Sequence, residues 1–195
     1  MLDSMATHPG ELDAALRERL DALGDWAADA PRRAAVLCLL QERGTELRML
    51  FVARPHTMPT HPGQIAFPGG GEAPGEDPVA TALREAREEL AVAEDAVTVL
   101  GQLLPRASSS GYLVHCIVAK LNVCDLRPDP REVEAILDEP IAALLDESKW
   151  SERAPPAEAS GRQLPTSPHY LLGDRWLWGL TARFVRDLTS RWPRA

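Results

Sequence analysis

Three glutamates, Glu85, Glu88 and Glu89, fall at i, i+3 and i+4 within a run of helix-forming residues. On an α-helix this spacing brings their carboxylates to one face. Like charges so placed repel and destabilise an isolated helix. A hard divalent cation reverses that cost, because Mg²⁺ and Mn²⁺ prefer carboxylate oxygens. The plainer alternative is a solvated acidic face, the usual meaning of a glutamate-rich helix. The flanking residues define the element. Gly69, Gly70 and Gly71 precede it, Pro78 suits a first helical turn, and no Gly or Pro interrupts Val79 to Val92. Val79, Leu83, Ala86 and Leu90 make a stripe for burial, with the glutamates on roughly the opposite side.

The order of residues favours the metal reading. From Gly70 the chain reads Gly, five residues, Glu76, seven residues, then Arg84-Glu85-Ala86-Arg87-Glu88-Glu89-Leu90-Ala91-Val92. This resembles the Nudix box, the signature of hydrolases acting on nucleoside diphosphates linked to another group. Every charged position of that pattern is filled. Ala91 stands where the box has a glycine that would cap the helix in a left-handed conformation. Alanine adopts that conformation at a cost of roughly 1 kcal/mol. The resemblance implies an α/β/α sandwich with a mixed central sheet, and Mg²⁺ or Mn²⁺ held by Glu85, Glu88 and Glu89. The carbonyl of Gly69 is a further candidate ligand, since glycine lets backbone approach closely. One of Glu85, Glu88 or Glu132 could act as general base. Arg84 is expected to orient a carboxylate and Glu76 to brace the loop.

Composition bounds the rest. A chain of 195 residues, 45% hydrophobic and 26% charged, is read as one globular α/β domain. The formal net charge of −8 argues against nonspecific binding to nucleic acid or anionic membrane. An anionic substrate therefore needs local cations. Three cysteines, Cys38, Cys116 and Cys124, cannot all pair with one another, and Cys38 and Cys116 lie in apolar runs, so buried free thiols and a reducing, cytoplasmic setting are expected. No signal peptide is read at the N-terminus, and no apolar segment reaches the ~18 residues of a membrane span. A homodimer is left open.

Taken in order, Met1 to Gly10 is expected to lack structure. Residues 11–30 hold an N-terminal helix, with Leu12, Leu16, Leu20 and Leu23 as its stripe, lying outside the domain or against a partner. The core is placed at 34–188. Ala34–Leu40 and Leu47–Ala53 read as a hairpin. Arg54–Pro68 is a loop with a short strand at Ile65–Phe67. Strands are predicted at Val97–Leu104, Tyr112–Asn122 and Glu132–Leu137, with a polar loop at Arg106–Tyr112. A short helix starts at Pro140. Lys149–Ser167 loops over the surface, His169–Leu172 and Trp176–Trp178 are short strands, and Leu180–Arg191 is the last helix. Strands joined by hairpin-sized turns favour a mixed sheet between helices.

Segments outside the box bear on the substrate. Leu50 to Arg54 and His61 to Gly70 resemble the coenzyme A pyrophosphatase branch of Nudix enzymes, and so do Ala82-Leu83 and Trp178 to Ala182. Pro55 and Pro59 stand where that branch usually has Ser and Arg. The branch implies hydrolysis of coenzyme A, and often its thioesters, to 3′,5′-adenosine diphosphate and 4′-phosphopantetheine. Arg54, His56, His61, Gln64, Gly70 and Arg106 are the candidate substrate-binding residues; the cations among them could meet phosphate. Two alternatives stay open. One is a Nudix pyrophosphatase acting on ADP-ribose, dinucleotides or nucleoside triphosphates. The other is a noncatalytic nucleotide-sensing domain.

Overall fold

The computed structural model describes residues 9–30, 32–58, 61–122, 125–154 and 165–193. The expectations for Met1 to His8, for Cys124 and for Pro59 lie outside these. Pro9–Arg17 forms α1. Arg33–Arg43 (β1) and Glu46–Ala53 (β2) pair antiparallel, giving the expected hairpin. Ile65–Ala66 (β3) adds to β2, and Gly69–Gly71 (β4) adds to β1. The glycines that precede α2 are therefore a short strand. A Cβ on Gly69 would stand 2.4 Å from the Ala35 carbonyl oxygen, so only glycine permits this approach. Pro78–Leu90 forms α2.

Val97–Ala107 (β5), Leu113–Leu121 (β6) and Ala135–Pro140 (β7) complete a seven-stranded sheet. β6 runs parallel to β1 and antiparallel to β5, while β7 pairs antiparallel with β2, so the sheet is mixed. Ile141–Leu144 is a short helix, α3. Trp150–Arg153 (β8), Ser167–Leu172 (β9) and Arg175–Leu177 (β10) form a small antiparallel sheet, and Gly179–Ser190 forms α4.

Alternation along the central strands builds two cores, one per face. On one face Cys38, Met49, Phe51, Val114, Cys116 and Val118 pack with Leu16, Phe184 and Leu188. On the other, Ala35, Leu37, Leu39, Leu50, Val52 and Ile117 pack with Ala82, Ala86 and Leu90 of α2. The sheet thus lies between α2 and the layer that includes α1 and α4, the expected α/β/α arrangement. Cys38 and Cys116 are buried and free, and burial pushes both thiols up, away from nucleophilic use.

Several boundaries differ from the sequence reading. The N-terminal helix stops at Arg17, because Asp21 instead exchanges backbone hydrogen bonds with Gln102 of β5 at 2.9 and 3.1 Å. Leu16 and Leu20 join the core, so this segment is part of the domain layer; Leu23 is left exposed. Arg106 lies in β5 rather than in a loop. Glu132 sits in a turn before β7, which begins at Ala135. Part of the stretch read as a surface loop is β8.

Candidate active site

Both ends of α2 are fixed. The Asp77 side chain accepts from the Ala80 N–H at 2.8 Å, satisfying one of the first-turn donors. At the other end Ala91 adopts φ 56 and ψ 31, and its N–H bonds the Arg87 carbonyl at 2.9 Å. The left-handed cap forms without glycine. Between these ends Ala82, Ala86 and Leu90 are buried toward the sheet, while Val79 and Leu83 are only partly covered.

Arg84 organises the acidic residues. Its guanidinium donates to Glu76 at 2.8 and 3.2 Å, to Glu85 at 2.8 Å, to Glu88 at 3.2 Å and to the Gly71 carbonyl at 2.9 Å. Glu76 also accepts from the Thr81 hydroxyl at 2.8 Å and the Ala73 N–H at 3.2 Å. Its carboxyl is held below the ordinary range, chiefly by Arg84. These bonds gather Glu76, Glu85 and Glu88 around one guanidinium.

The three glutamates lie at different depths. The side chain of Glu88 is 52% exposed, that of Glu85 15%, and Glu89 is only 2% exposed. Glu89 therefore does not belong to a solvated face. One of its oxygens, Oε2, is buried with no hydrogen-bond partner among the described residues. Burial pushes its carboxyl up to about 8, helped by the charges of Glu85 and Glu132 and opposed by Arg54 and the Gly69 N–H. Burial also raises Glu85, against the pull of Arg84 and with Glu88 and Glu132 adding to the rise. Glu132 reaches this cluster because its turn is tied to the end of α2. The N–H of Asp129 bonds the Glu89 carbonyl and that of Arg127 the Leu90 carbonyl, both at 2.8 Å.

Among the described residues no three His, Cys, Asp or Glu side chains form a ready ligand set, since Arg84 draws Glu85 and Glu88 to itself. The residues nonetheless fit a hard cation. They provide an unpartnered buried oxygen and two carboxyls strained by burial and mutual repulsion. Gly70 is also required here, for its missing Cβ would lie 2.4 Å from Glu85 Oε1.

A cleft of about 500 Å³ includes Arg54 and Gly69, the two groups that pull on Glu89. Arg54, His61, Gln64 and Gly69 line it, together with Phe67, Ser108, Ser167 and Trp178 to Thr181. Three predicted substrate residues, Arg106, His56 and Gly70, are not among those that line it, and Gly70 instead lies against the Glu85 carboxylate. Arg106 turns to Asp187 of α4 at 3.3 Å, because its strand continues past the expected loop boundary. His56 packs where a Gly63 side chain would be, with a Cβ there only 2.4 Å from its ring, and it lends its N–H and charge to Glu134. Conversely, Ser167 and Arg183 line the cleft, although neither carried a local signal in the sequence.

Residues 31–158 match the model of the NUDIX domain. This chain belongs to the Nudix family. Over 169 residues it is 37% identical to a Photorhabdus laumondii protein described as an uncharacterized Nudix hydrolase, NudL; the alignment covers 84% of this chain and 87% of that one. A Yersinia pestis protein of the same description is 35% identical over 162 residues, covering 82% and 79%. Solved structures support the fold. A MutT/nudix family protein from Enterococcus faecalis superposes with TM-score 0.54 at 16% identity, covering 96% of this chain and 75% of that one. A MutT protein from Methanosarcina mazei does so with TM-score 0.51 at 18% identity, covering 85% and 96%. As a Nudix hydrolase the chain is a pyrophosphatase that acts on small nucleotide-type molecules. Among the described residues no helix is long and apolar enough to cross a membrane. The matched span contains α2 and the whole seven-stranded sheet; β9 and α4, which supply Ser167 and Gly179 to Arg183 of the cleft, lie beyond it.

Proposed function

We propose that this Nudix hydrolase cleaves the diphosphate of coenzyme A, and of its thioesters, to 3′,5′-adenosine diphosphate and 4′-phosphopantetheine or its acyl form. One observation carries the reading. The two stretches that resemble the coenzyme A branch, His61 to Gly70 and Trp178 to Ala182, are far apart in sequence, yet residues of both line one cleft, together with Arg54 and Gly69, which act on Glu89.

In this reading Glu85, Glu88, Glu89 and the Gly69 carbonyl hold the divalent cation. When bound, Mg²⁺ or Mn²⁺ neutralises diphosphate oxygens and acidifies water. The chain's own residues do the rest. Arg84 keeps Glu85 and Glu88 on the same side of α2. One of Glu85, Glu88 and Glu132 takes the proton of the attacking water, and burial of Glu85 raises its basicity toward that task. Water adds to one phosphorus of the diphosphate, the bridging P–O bond breaks, and the other phosphate leaves with the electron pair. Arg54, His61 and Gln64 line the cleft where they can meet substrate phosphate. Gly70, lacking a Cβ, leaves room for the Glu85 carboxylate.

The test is a side-by-side measurement of initial rates for coenzyme A, dephospho-coenzyme A, ADP-ribose and NADH, with product identification. Coenzyme A should have the highest kcat/KM. A clear win for ADP-ribose or NADH would replace the substrate while leaving the metal chemistry intact.

A further inference from the structure

We infer that the N-terminus of α4, with Ser167 and Arg183, forms a second anion subsite in the cleft, built to take a phosphate monoester separate from the scissile diphosphate. The inference deepens the coenzyme A reading and rests on it for the identity of that group, the 3′-phosphate.

Four observations converge. First, α4 begins at Gly179 with no side-chain cap and no acidic residue in its first turn. The N–H groups of Gly179, Leu180 and Thr181 have no intrahelical acceptor, and none among the described residues. A helix start left in this state favours an anion through its N–H groups and dipole. These three residues line the cleft.

Second, Ser167 lines the same cleft, is only 3% exposed, and its hydroxyl oxygen is buried with no partner among the described residues. A buried hydroxyl left unpaired is costly and calls for a ligand. Its position is rigid, since Ser167 pairs with Arg153 in the small sheet and its carbonyl accepts from His169 Nδ1 at 2.8 Å. Third, Arg183 lines the cleft one turn along α4 and has no ion pair among the described residues. Fourth, among the described residues no Asp or Glu lines the cleft, and the charged ones that do are Arg54 and Arg183, although the whole chain carries a net charge of −8. Such local positive charge in an acidic chain selects anions.

The position of the subsite matters too. α4 packs on the sheet face opposite α2. An anion at its start is therefore held by different groups from those that meet the diphosphate. The subsite is also assembled from residues beyond the span that matches the family model. It is thus placed to discriminate among substrates that share the diphosphate chemistry.

The experiment is calorimetric titration of the full chain, with chelator present, by 3′,5′-adenosine diphosphate and by 5′-adenosine monophosphate. Wild type should bind the first at least about tenfold tighter, the size of one charge-assisted phosphate contact. Arg183→Gln and Ser167→Ala should each remove most of that preference while leaving the affinity for 5′-adenosine monophosphate unchanged. Arg183 is exposed, so its variant decides the matter even where Ser167→Ala fails to fold. Equal affinities in wild type, or a preference that survives both substitutions, would overturn the subsite even if coenzyme A is hydrolysed. A preference lost in the variants, in an enzyme that turns over ADP-ribose better than coenzyme A, would instead uphold the subsite and overturn the substrate.

Discussion

Replacement of Glu89 by Gln separates the stability cost of this carboxylate from its use. The side chain is buried beside Glu85 and Glu132, and its carboxyl is pushed from 4.5 up to about 8. The sign follows directly. A carboxyl whose folded value is raised contributes fully below its unfolded value, and that contribution is lost as pH rises through the folded value. At about 1.36 kcal/mol per pH unit, the metal-free protein should lose roughly 3 kcal/mol between pH 5 and pH 8 through this group alone. For a chain of this size that corresponds to roughly 6–12 °C in Tm. Glu89→Gln cannot ionise, so its melting curves in chelator should lack this component of the pH slope. The buried amide brings its own cost of about 1–3 kcal/mol, which is pH-independent and cancels in the comparison of slopes. Divalent cation should then restore wild type and not the variant, and turnover of the variant should fall by at least ~10²-fold. Parallel pH profiles for the two proteins would refute the burial argument. A wild-type rate at saturating metal would remove Glu89 from the site.

Other outcomes can be checked with the same protein. Gly70→Ala places a Cβ against the flexible end of Glu85, so the fold should survive while kcat falls by about tenfold or more, measured by steady-state kinetics beside a thermal melt. Ala91→Gly relieves the left-handed cap at φ 56 and should stabilise the protein by about 1 kcal/mol, read as a rise in urea midpoint without loss of activity. His115 is buried next to Gln102 and Trp26, and burial lowers its imidazole below the ordinary 6.5. Its lowered value means that stability is complete above 6.5 and is lost as pH falls below it, opposite in sign to Glu89. Denaturant melts of His115→Gln should show less acid loss between pH 6.5 and 5 than wild type.

Local information in the sequence determined the elements with regular periods. The apolar runs of β1, β2 and β6 and the stripe of α2 follow from side-chain alternation and helical spacing, which need no knowledge of the partners. The same holds for the acidic face: rise and turn alone bring Glu85, Glu88 and Glu89 together, and the ordered residues from Gly70 to Val92 named the family chemistry. Depth was not available that way. Glu89 is buried because β4 and the turn bearing Glu132 close over it, and those contacts come from segments on either side of the helix. Arg106 read as a free loop cation because strand ends lack a sharp signal, and pairing with β6 carried its strand onward to meet Asp187. The N-terminal helix was read too long for a similar reason. Its leucine pattern continued, but backbone pairing of Asp21 with Gln102 won over helical hydrogen bonds. Ser167 and Arg183 had no readable role at all, since a lone serine and one arginine among several acquire meaning only when the chain folds them around the same cleft. Spacing along a helix is written in the sequence; burial, and the charge state that burial imposes, is set by what packs across from it.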